Sequence, residues 1–313
     1  MKILIAGGAG FIGSHLCRFH LEKGDSVYAF DNLITGRRSN VKPFFSDKNF
    51  HFFEEDIVTF DFSHLPPFDI IYHLASPASP VQYKKYPIET LITNSQGTHK
   101  LLEFLRKSGS KSFVLASTSE VYGDPLIHPQ NENYWGNVNP VGPRSCYDEG
   151  KRFAETLTMA YFHKFNLKVR IARIFNTYGP NMEKDDGRVV SNFITQALSG
   201  KPLTVKGKGQ QTRSFCYVSD MIEGLYLLAI TKNIDGEIIN LGNPNEKTVI
   251  ELAKLIQKLV GKKLEILFIN KEADDPQRRK PDIDKAKRLL GWQPKISLEE
   301  GLVKTIDYFR EII

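Results

Sequence analysis

Lys2-Ile3-Leu4-Ile5-Ala6-Gly7-Gly8-Ala9-Gly10-Phe11-Ile12-Gly13 decides the fold of this chain. Its first five residues form a short apolar, partly β-branched run that reads as a buried strand. Glycines then break the run, and Ser14 to Lys23 continues with helical periodicity. Gly8-x-Gly10-x-x-Gly13 provides a tight turn, a close backbone approach to a pyrophosphate and close helix packing. The N-terminus of the following helix offers free N–H groups to phosphate. A merely glycine-rich turn would not account for what comes next. Ser26-Val27-Tyr28-Ala29-Phe30 reads as a second strand and ends at Asp31, 18 residues beyond Gly13, where an acid meets the adenosine ribose of a dinucleotide. A 2′-hydroxyl suits that carboxylate, and a 2′-phosphate is repelled. Arg37 and Arg38 follow closely and are able to accept a 2′-phosphate, so NAD is favoured and NADP stays open.

Further along, Asn49 to Glu54 and Phe68 to Leu74 supply two more strands, with Asp56-Ile57 over the adenine. Strands alternating with helices predict a parallel, doubly wound α/β sheet of the Rossmann type. Leu74-Ala75-Ser76-Pro77-Ala78-Ser79-Pro80 leaves the fourth strand as a loop at its carboxyl end, where ligands bind in such sheets. From Pro87 to about Lys107, Leu91, Asn94, Thr98, Leu101, Leu102 and Leu105 recur at helical spacing. Thr93 and Asn94 in that helix either touch the cofactor or serve the fold. Ser112 to Ala116 is a fifth strand, delivering Ser117-Thr118-Ser119-Glu120-Val121-Tyr122-Gly123 to the same sheet edge.

Composition sets outer bounds. The 313 residues suffice for a large core, in one big domain or two smaller ones. The net charge of +6 suits anionic cofactors and substrates. Basic residues are scattered apart from Gln277-Arg278-Arg279-Lys280, which argues against nucleic acid. Cys17, Cys146 and Cys216 lack metal-ligand spacing and read as reduced thiols, so no metal is expected. No apolar stretch reaches the ~18 residues that span a membrane.

Tyr147 and Lys151 stand four residues apart at the start of a helix, on one face. A phenol is a poor base near neutral pH, and a neighbouring ammonium favours its ionised form. Tyr147 then becomes a candidate to move a substrate hydroxyl proton. Alone, the spacing equally describes a solvated helix face.

Together, Gly7-x-x-Gly10-x-x-Gly13, the hydroxyl residues ending the fifth strand and Tyr147-x-x-x-Lys151 resemble the extended short-chain dehydrogenase/reductases that modify nucleotide sugars. Within them the chain is similar to the UDP-glucuronate decarboxylases, which make UDP-xylose. That likeness covers His73-Leu-Ala-Ser-Pro-Ala-Ser-Pro80, Ser117 to Pro125, Tyr134-Trp-Gly136 and Arg144-Ser-Cys-Tyr-Asp-Glu-Gly-Lys-Arg152. It continues in Arg173-Ile-Phe-Asn-Thr-Tyr-Gly-Pro180, Asp186 to Phe193 and Gln211-Thr-Arg-Ser-Phe215. Thr118-Ser119-Glu120 discriminates best, since the related 4,6-dehydratases carry Asp where Ser119 stands and epimerases usually lack the glutamate. Lys206 departs from the pattern, which has tyrosine there. The membrane anchor of many eukaryotic relatives is absent, and the resemblance without it implies a cytoplasmic enzyme.

The resemblance implies NAD held by Gly7, Gly10, Phe11, Ile12, Gly13, Asp31, Asn32, Thr35, Gly36, Asp56 and Ile57. Leu74, Ser76, Thr93, Ala116, Tyr147, Lys151, Thr177 and Arg188 complete that set. It implies a UDP-sugar held by Asn176, Val190, Lys206, Gln211, Arg213 and Arg279, with Tyr147, Lys151, Thr118, Ser119, Glu120 and Arg279 catalytic. Asn176 is otherwise a buried asparagine satisfying a loop, and Arg279 part of a solvated charge run. A homodimer is implied, paired through the helices near 88–107 and 148–165.

Lys168 to Arg173 forms a sixth strand. Residues 1–175 are expected to form the Rossmann domain, with a segment near 211–240 returning to it, and residues 176–313 mostly a smaller mixed α/β substrate domain. Val189 to Leu198 reads as a helix, Leu203 to Val205 and Glu237 to Leu241 as strands. Ser219-Asp220 is expected to cap one helix, and Thr248 with Glu251 to form the capping box of another. Asp274 to Pro281 reads as an irregular basic loop before two closing helices split at Gly291 to Pro294. Beside the decarboxylase stand two alternatives: a C4 epimerase or 4,6-dehydratase, and an NAD-binding regulatory protein, for which an acid/base pair has no use.

Overall fold

In the computed structural model, which describes residues 1–270 and 276–313, β1 (Lys2–Ala6) is buried at all but its first position. Apolar side chains on both faces of a strand require cover on both sides, and helices supply it. The glycine turn leads into α1 (Phe11–Glu22), then β2 (Ser26–Phe30), the one-turn α2 (Arg38–Val41), β3 (Phe50–Phe53) and β4 (Ile70–His73). Next come α3 (Pro80–Lys85), α4 (Pro87–Ile92), α5 (Thr98–Ser108), β5 (Phe113–Thr118), α6 (Ser145–Phe165) and β6 (Val169–Ile174).

The helix expected from Pro87 to Lys107 is interrupted by a π-turn at Thr93–Gly97 between α4 and α5. Side chains there bond back to the helix backbone. Asn94 Nδ2 donates to Thr90 O at 2.8 Å, and Thr98 Oγ1 donates to Asn94 O at 2.6 Å. Asn94 Nδ2 also donates to Ser76 Oγ at 2.8 Å, tying the π-turn to the loop after β4.

The rest of the chain forms β7 (Thr177–Tyr178), α7 (Val189–Leu198), β8 (Leu203–Lys206), β9 (Thr212–Ser214), β10 (Cys216–Tyr217) and α8 (Val218–Ile230). Then follow β11 (Ile238–Leu241), β12 (Glu246–Thr248), α9 (Val249–Val260), β13 (Ile266–Ile269), β14 (Arg278–Arg279), α10 (Asp284–Leu290) and α11 (Leu298–Ile312). Among the described residues the central sheet runs β11-β6-β5-β4-β1-β2-β3, with its neighbouring strands parallel. The order reverses at β1, so the carboxyl ends of β1 and β4 open a crevice where such sheets bind ligands. The late strand β11 completes the sheet beside β6, and α8 packs against α1.

Two local expectations change. Ser219 and Asp220 lie inside α8, whose first residue is Val218, and the Asp220 carboxylate instead accepts the backbone N–H groups of Lys295 and Ile296 at 3.0 and 2.9 Å. A tertiary contact takes the carboxylate that the expected cap would have used. Part of the expected basic loop is a strand: β14 pairs with β9, Arg279 opposite Arg213, so Arg279 is buried and not in a solvated charge run. Asp274 and Asp275 of that loop lie outside the described residues. The Thr248–Glu251 capping box is formed in full.

Candidate active site

One cleft at the carboxyl edge of the sheet gathers most of the candidate residues. On its cofactor side, Gly7, Gly10, Phe11, Ile12, Gly13 and Thr35 line it, with Leu74 and Ser76 following β4. Gly7 has φ +86°, and a Cβ there would sit 2.7 Å from Ala75 N. A Cβ on Gly13 would come within 1.9 Å of Gly7 O, so only glycine lets α1 start against the turn. Helix α1 has no side-chain cap at Gly10 and no acid in its first turn, which leaves its positive end to a phosphate group. The cradle fits the pyrophosphate of a dinucleotide.

Asp31 is buried at the end of β2, but both of its oxygens are engaged: Ala9 N–H donates to Oδ2 at 3.0 Å and Leu33 N–H to Oδ1 at 2.9 Å. Burial pushes its carboxyl above the usual range, against the pull of these amides. Gly36 makes room for it, since a Cβ there would lie 2.5 Å from Asp31 Oδ1. The two arginines that left NADP open are both spent elsewhere. Arg37 bonds to Asn40, Asn181, Met182 and Tyr308, and Arg38 pairs with Glu54 at the surface. Asp31, Asn32, Gly36, Asp56, Ile57 and Thr93 are absent from the cleft lining. Asn32 Nδ2 donates to Asp56 Oδ2 at 2.9 Å, and Ile57 packs under Gly97 of the π-turn.

At the centre, β5 delivers Ala116, Thr118, Ser119 and Glu120, while α6 delivers Tyr147 and Lys151. Thr118 Oγ1 accepts Glu120 N–H at 3.2 Å and hydrogen-bonds the Tyr147 phenol. Lys151 Nζ donates to Ala116 O at 2.8 Å and stands 6.0 Å from the Tyr147 ring centre. The expected lowering of the tyrosine by its lysine is not what the protein alone provides. Burial pushes the Tyr147 phenol well up, and burial also brings Lys151 down to about 7, with Glu155 opposing. Two buried groups each favour their neutral form, so the phenol stays protonated until a positive charge is set beside it.

Glu120 holds a charge cluster that sequence alone did not reveal. Arg279 grips it with two donors, Nη1 to Oε1 at 2.6 Å and Nη2 to Oε2 at 2.7 Å, and Arg144 Nη2 donates to Oε2 at 2.7 Å. Burial opposes the charge on Glu120, but the two guanidiniums outweigh it and hold the carboxyl well below its usual range. The resemblance implies Arg279 as a substrate residue, and in the structure both of its Nη atoms are already on Glu120. Arg144 was quoted within a motif without a role, and its place three residues before Tyr147 was the available signal.

Behind these lie Tyr83 and Asp148. Tyr83 stacks on Tyr147, with ring centres 5.1 Å apart and planes at 7°. Asp148 is buried with Oδ1 unpartnered, and burial together with the nearby Glu120 charge pushes its carboxyl up. A carboxyl raised in the folded state costs stability as pH climbs from the ordinary carboxylate range through its folded value, because the unfolded chain ionises first. Asp148→Asn is therefore expected to melt higher than the parent, by a margin that grows with pH across that window and then levels off. Thermal melts from pH 5 to 9 check this, and a margin that shrinks as pH rises would contradict it.

On the substrate side, Asn176, Thr177, Arg188, Val190, Lys206, Gln211, Arg213 and Arg279 all line the cleft. Arg188 N–H and Nε both donate to Asp186, at 2.9 and 2.7 Å. Gln211 Nε2 donates to Lys206 O at 2.8 Å, and Arg213 is buried on β9. Asn176 O accepts Cys216 N–H at 2.9 Å. Among the described residues no cluster of potential metal ligands occurs and no helix is long and apolar enough to cross a membrane.

The model of the GDP-mannose 4,6 dehydratase family matches residues 4–305. Over 310 residues the chain is 54% identical to UDP-glucuronic acid decarboxylase 1 of Xenopus tropicalis, an alignment covering 99% of this chain and 72% of that protein. It is also 54% identical over 314 residues to UDP-glucuronic acid decarboxylase 2 of Arabidopsis thaliana, covering 99% and 68%. Among solved structures, UDP-glucuronic acid 4-epimerase from Bacillus cereus in complex with UDP-glucuronic acid and NAD matches with TM-score 0.90 at 31% identity, across 100% of both chains.

Proposed function

The chain belongs to the extended short-chain dehydrogenase/reductases and, among them, to the UDP-glucuronic acid decarboxylases, and from that membership we propose how its cleft works, residue by residue. The protein is an NAD-dependent enzyme that converts UDP-glucuronate to UDP-xylose and carbon dioxide. One observation carries the residue assignment: the Thr118–Tyr147–Lys151 set and the Glu120–Arg144–Arg279 cluster line the same cleft.

Gly7, Gly10, Phe11, Ile12 and Gly13 would hold NAD along the glycine turn, where it would supply reversible hydride chemistry at C4 of the sugar without net consumption. Tyr147 takes the C4 hydroxyl proton, and the resulting ketone is β to the C6 carboxylate. Carbon dioxide leaves as the C5–C6 electron pair moves toward the C4 oxygen. There Thr118 and Tyr147 donate hydrogen bonds to the developing charge. A water at Ser119 and Glu120 supplies the proton that C5 takes up in place of carbon dioxide, and the C4 hydroxyl is then restored as Tyr147 returns its proton. Lys151 holds the nicotinamide ribose. Ser119 and Glu120 position the sugar or a water, and two guanidiniums against one carboxylate leave the cluster with a net positive charge toward the uronate anion. Asn176, Val190, Lys206, Gln211 and Arg213 hold the UDP portion, Arg213 as a diphosphate partner.

Incubation with UDP-glucuronate and mass analysis of the products tests the reading. UDP-xylose with carbon dioxide is expected, whereas a product isobaric with the substrate would mean epimerisation.

The same reading divides the chain into a cofactor domain of residues 1–175, with the return near 211–240, and a substrate domain in residues 176–313. It places the enzyme in the cytoplasm and makes it a homodimer through α4–α5 and α6. Exposed Ile88 and Leu91 on α4 and Phe153 on α6 support the pairing. Light scattering at micromolar concentration is expected to give twice the chain mass; a monomer there would remove the dimer.

A further inference from the structure

Arg37 lies just past the ribose-acid position and lines the cleft, yet its guanidinium points its bonds across the chain. Nη2 donates to Asn181 O at 3.0 Å and to Met182 O, Tyr308 Oη and Asn40 Oδ1 at 3.3 Å each. Its own backbone N–H donates to Ala9 O at 3.0 Å, inside the glycine turn. From the other side, His15 Nε2 donates to Pro180 O at 2.8 Å and Asn181 Nδ2 donates to Ser14 Oγ at 3.1 Å. Three consecutive residues of the segment joining β7 to α7 are thus tied to the glycine turn and the first turns of α1. Asn181 and Met182 also line the cleft, and Asn181 takes φ +66°, a bend that turns the strap. The fastening spans some 144 residues of sequence between Arg37 and Asn181.

We propose that Arg37 is a positioning residue that fastens the Pro180–Met182 strap to the glycine turn, and that this fastening keeps the reduced dinucleotide on the protein between the two hydride transfers. A reaction that oxidises and then re-reduces the same carbon fails whenever the reduced cofactor leaves early. The strap forms part of the cofactor-side wall, and the groups that hold it are a charged donor and an imidazole, not packing alone. The inference rests on the two-transfer reading of the cleft, but cofactor release is measurable without any sugar.

The test uses the full-length protein loaded with NAD, Arg37→Met, and as control Arg38→Met, which removes an exposed arginine that pairs with Glu54 and lies over Phe45 and Phe52, away from the strap. Two quantities are read: the exchange rate of bound NAD against isotopically labelled NAD, and free NADH per carbon dioxide during turnover. Arg37→Met is expected to exchange NAD about tenfold faster or more, the scale of losing hydrogen bonds from a charged donor, and to release NADH with an oxidised sugar. Arg38→Met should match the parent. His15→Phe, which frees the strap from the opposite side, should move both readouts in the same direction, and it carries the test if Arg37→Met does not fold. Exchange within about twofold of the parent in the foldable variant, a difference too small to matter on the affinity scale, overturns the proposal. Equal acceleration in Arg38→Met also overturns it, by pointing to net charge alone. A parent that exchanges NAD slowly yet releases no carbon dioxide would instead count against the decarboxylase reading.

Discussion

Tyr147→Phe is expected to lower turnover by about 100- to 10,000-fold, the usual worth of general acid/base catalysis, with the fold and NAD affinity nearly unchanged. The substitution deletes one hydroxyl from a buried ring whose packing, including the parallel stack on Tyr83, stays in place. It also removes one partner of the Thr118 hydroxyl, which keeps the Glu120 N–H. Carbon dioxide release under saturating UDP-glucuronate, set beside a melting curve and NAD titration, measures the three effects separately. A variant keeping more than roughly a tenth of the parent rate, far above that range, would mean that Thr118 or a water carries the proton. Tyr83→Phe serves as a companion, since it keeps the stack and removes only the unpartnered hydroxyl.

The second large effect is expected at the Glu120 cluster. Arg279→Ala leaves the largely buried Glu120 carboxylate with the Arg144 guanidinium, and breaking a buried, bidentate pair costs about 3–5 kcal/mol. The stability loss should appear as a lower melting temperature. Decarboxylation should fall by about 100-fold or more, because a misplaced reacting group forfeits rate steeply, whereas NAD affinity should hold, since the glycine turn is built between β1 and α1 and none of the cluster's three residues belongs to it. Arg279→Lys is expected to recover little, because an ammonium lacks the planar fork. Glu120→Gln removes the charge that both guanidiniums hold and should impair the steps after substrate binding. UDP-glucose, without the anion, should give little or no turnover. Carbon dioxide release within a few-fold of the parent in Arg279→Ala would sink the role of the cluster, though not that of Tyr147.

Much was legible from sequence where the physics is local. A five-residue apolar strand, glycines at fixed offsets and a helix after them can satisfy one another within a single unit, so β1, the turn and α1 were readable together with the parallel sheet. The same holds for Tyr147 and Lys151, one helical turn apart, and for the Thr248–Glu251 capping box. What lay beyond reach involved choices between partners far apart in the chain. Arg37 and Arg38 looked alike as neighbours of Asp31, and only folding gave one of them a strap to hold and the other a surface carboxylate. Arg279 stood in a run of charges and became buried because β14 pairs with β9 and brings it to Glu120, 159 residues away. The ionisation of Tyr147 and Lys151 likewise went against local expectation. Spacing set their register on α6, but desolvation depends on everything packed around them. Sequence by itself determined the parallel α/β class, the glycine turn and the placing of Tyr147 and Lys151 on one helix face, since the signals for each are short-range patterns. Only the tertiary structure decided which charges are paired and which groups are neutral, because burial and long-range contact set those energies.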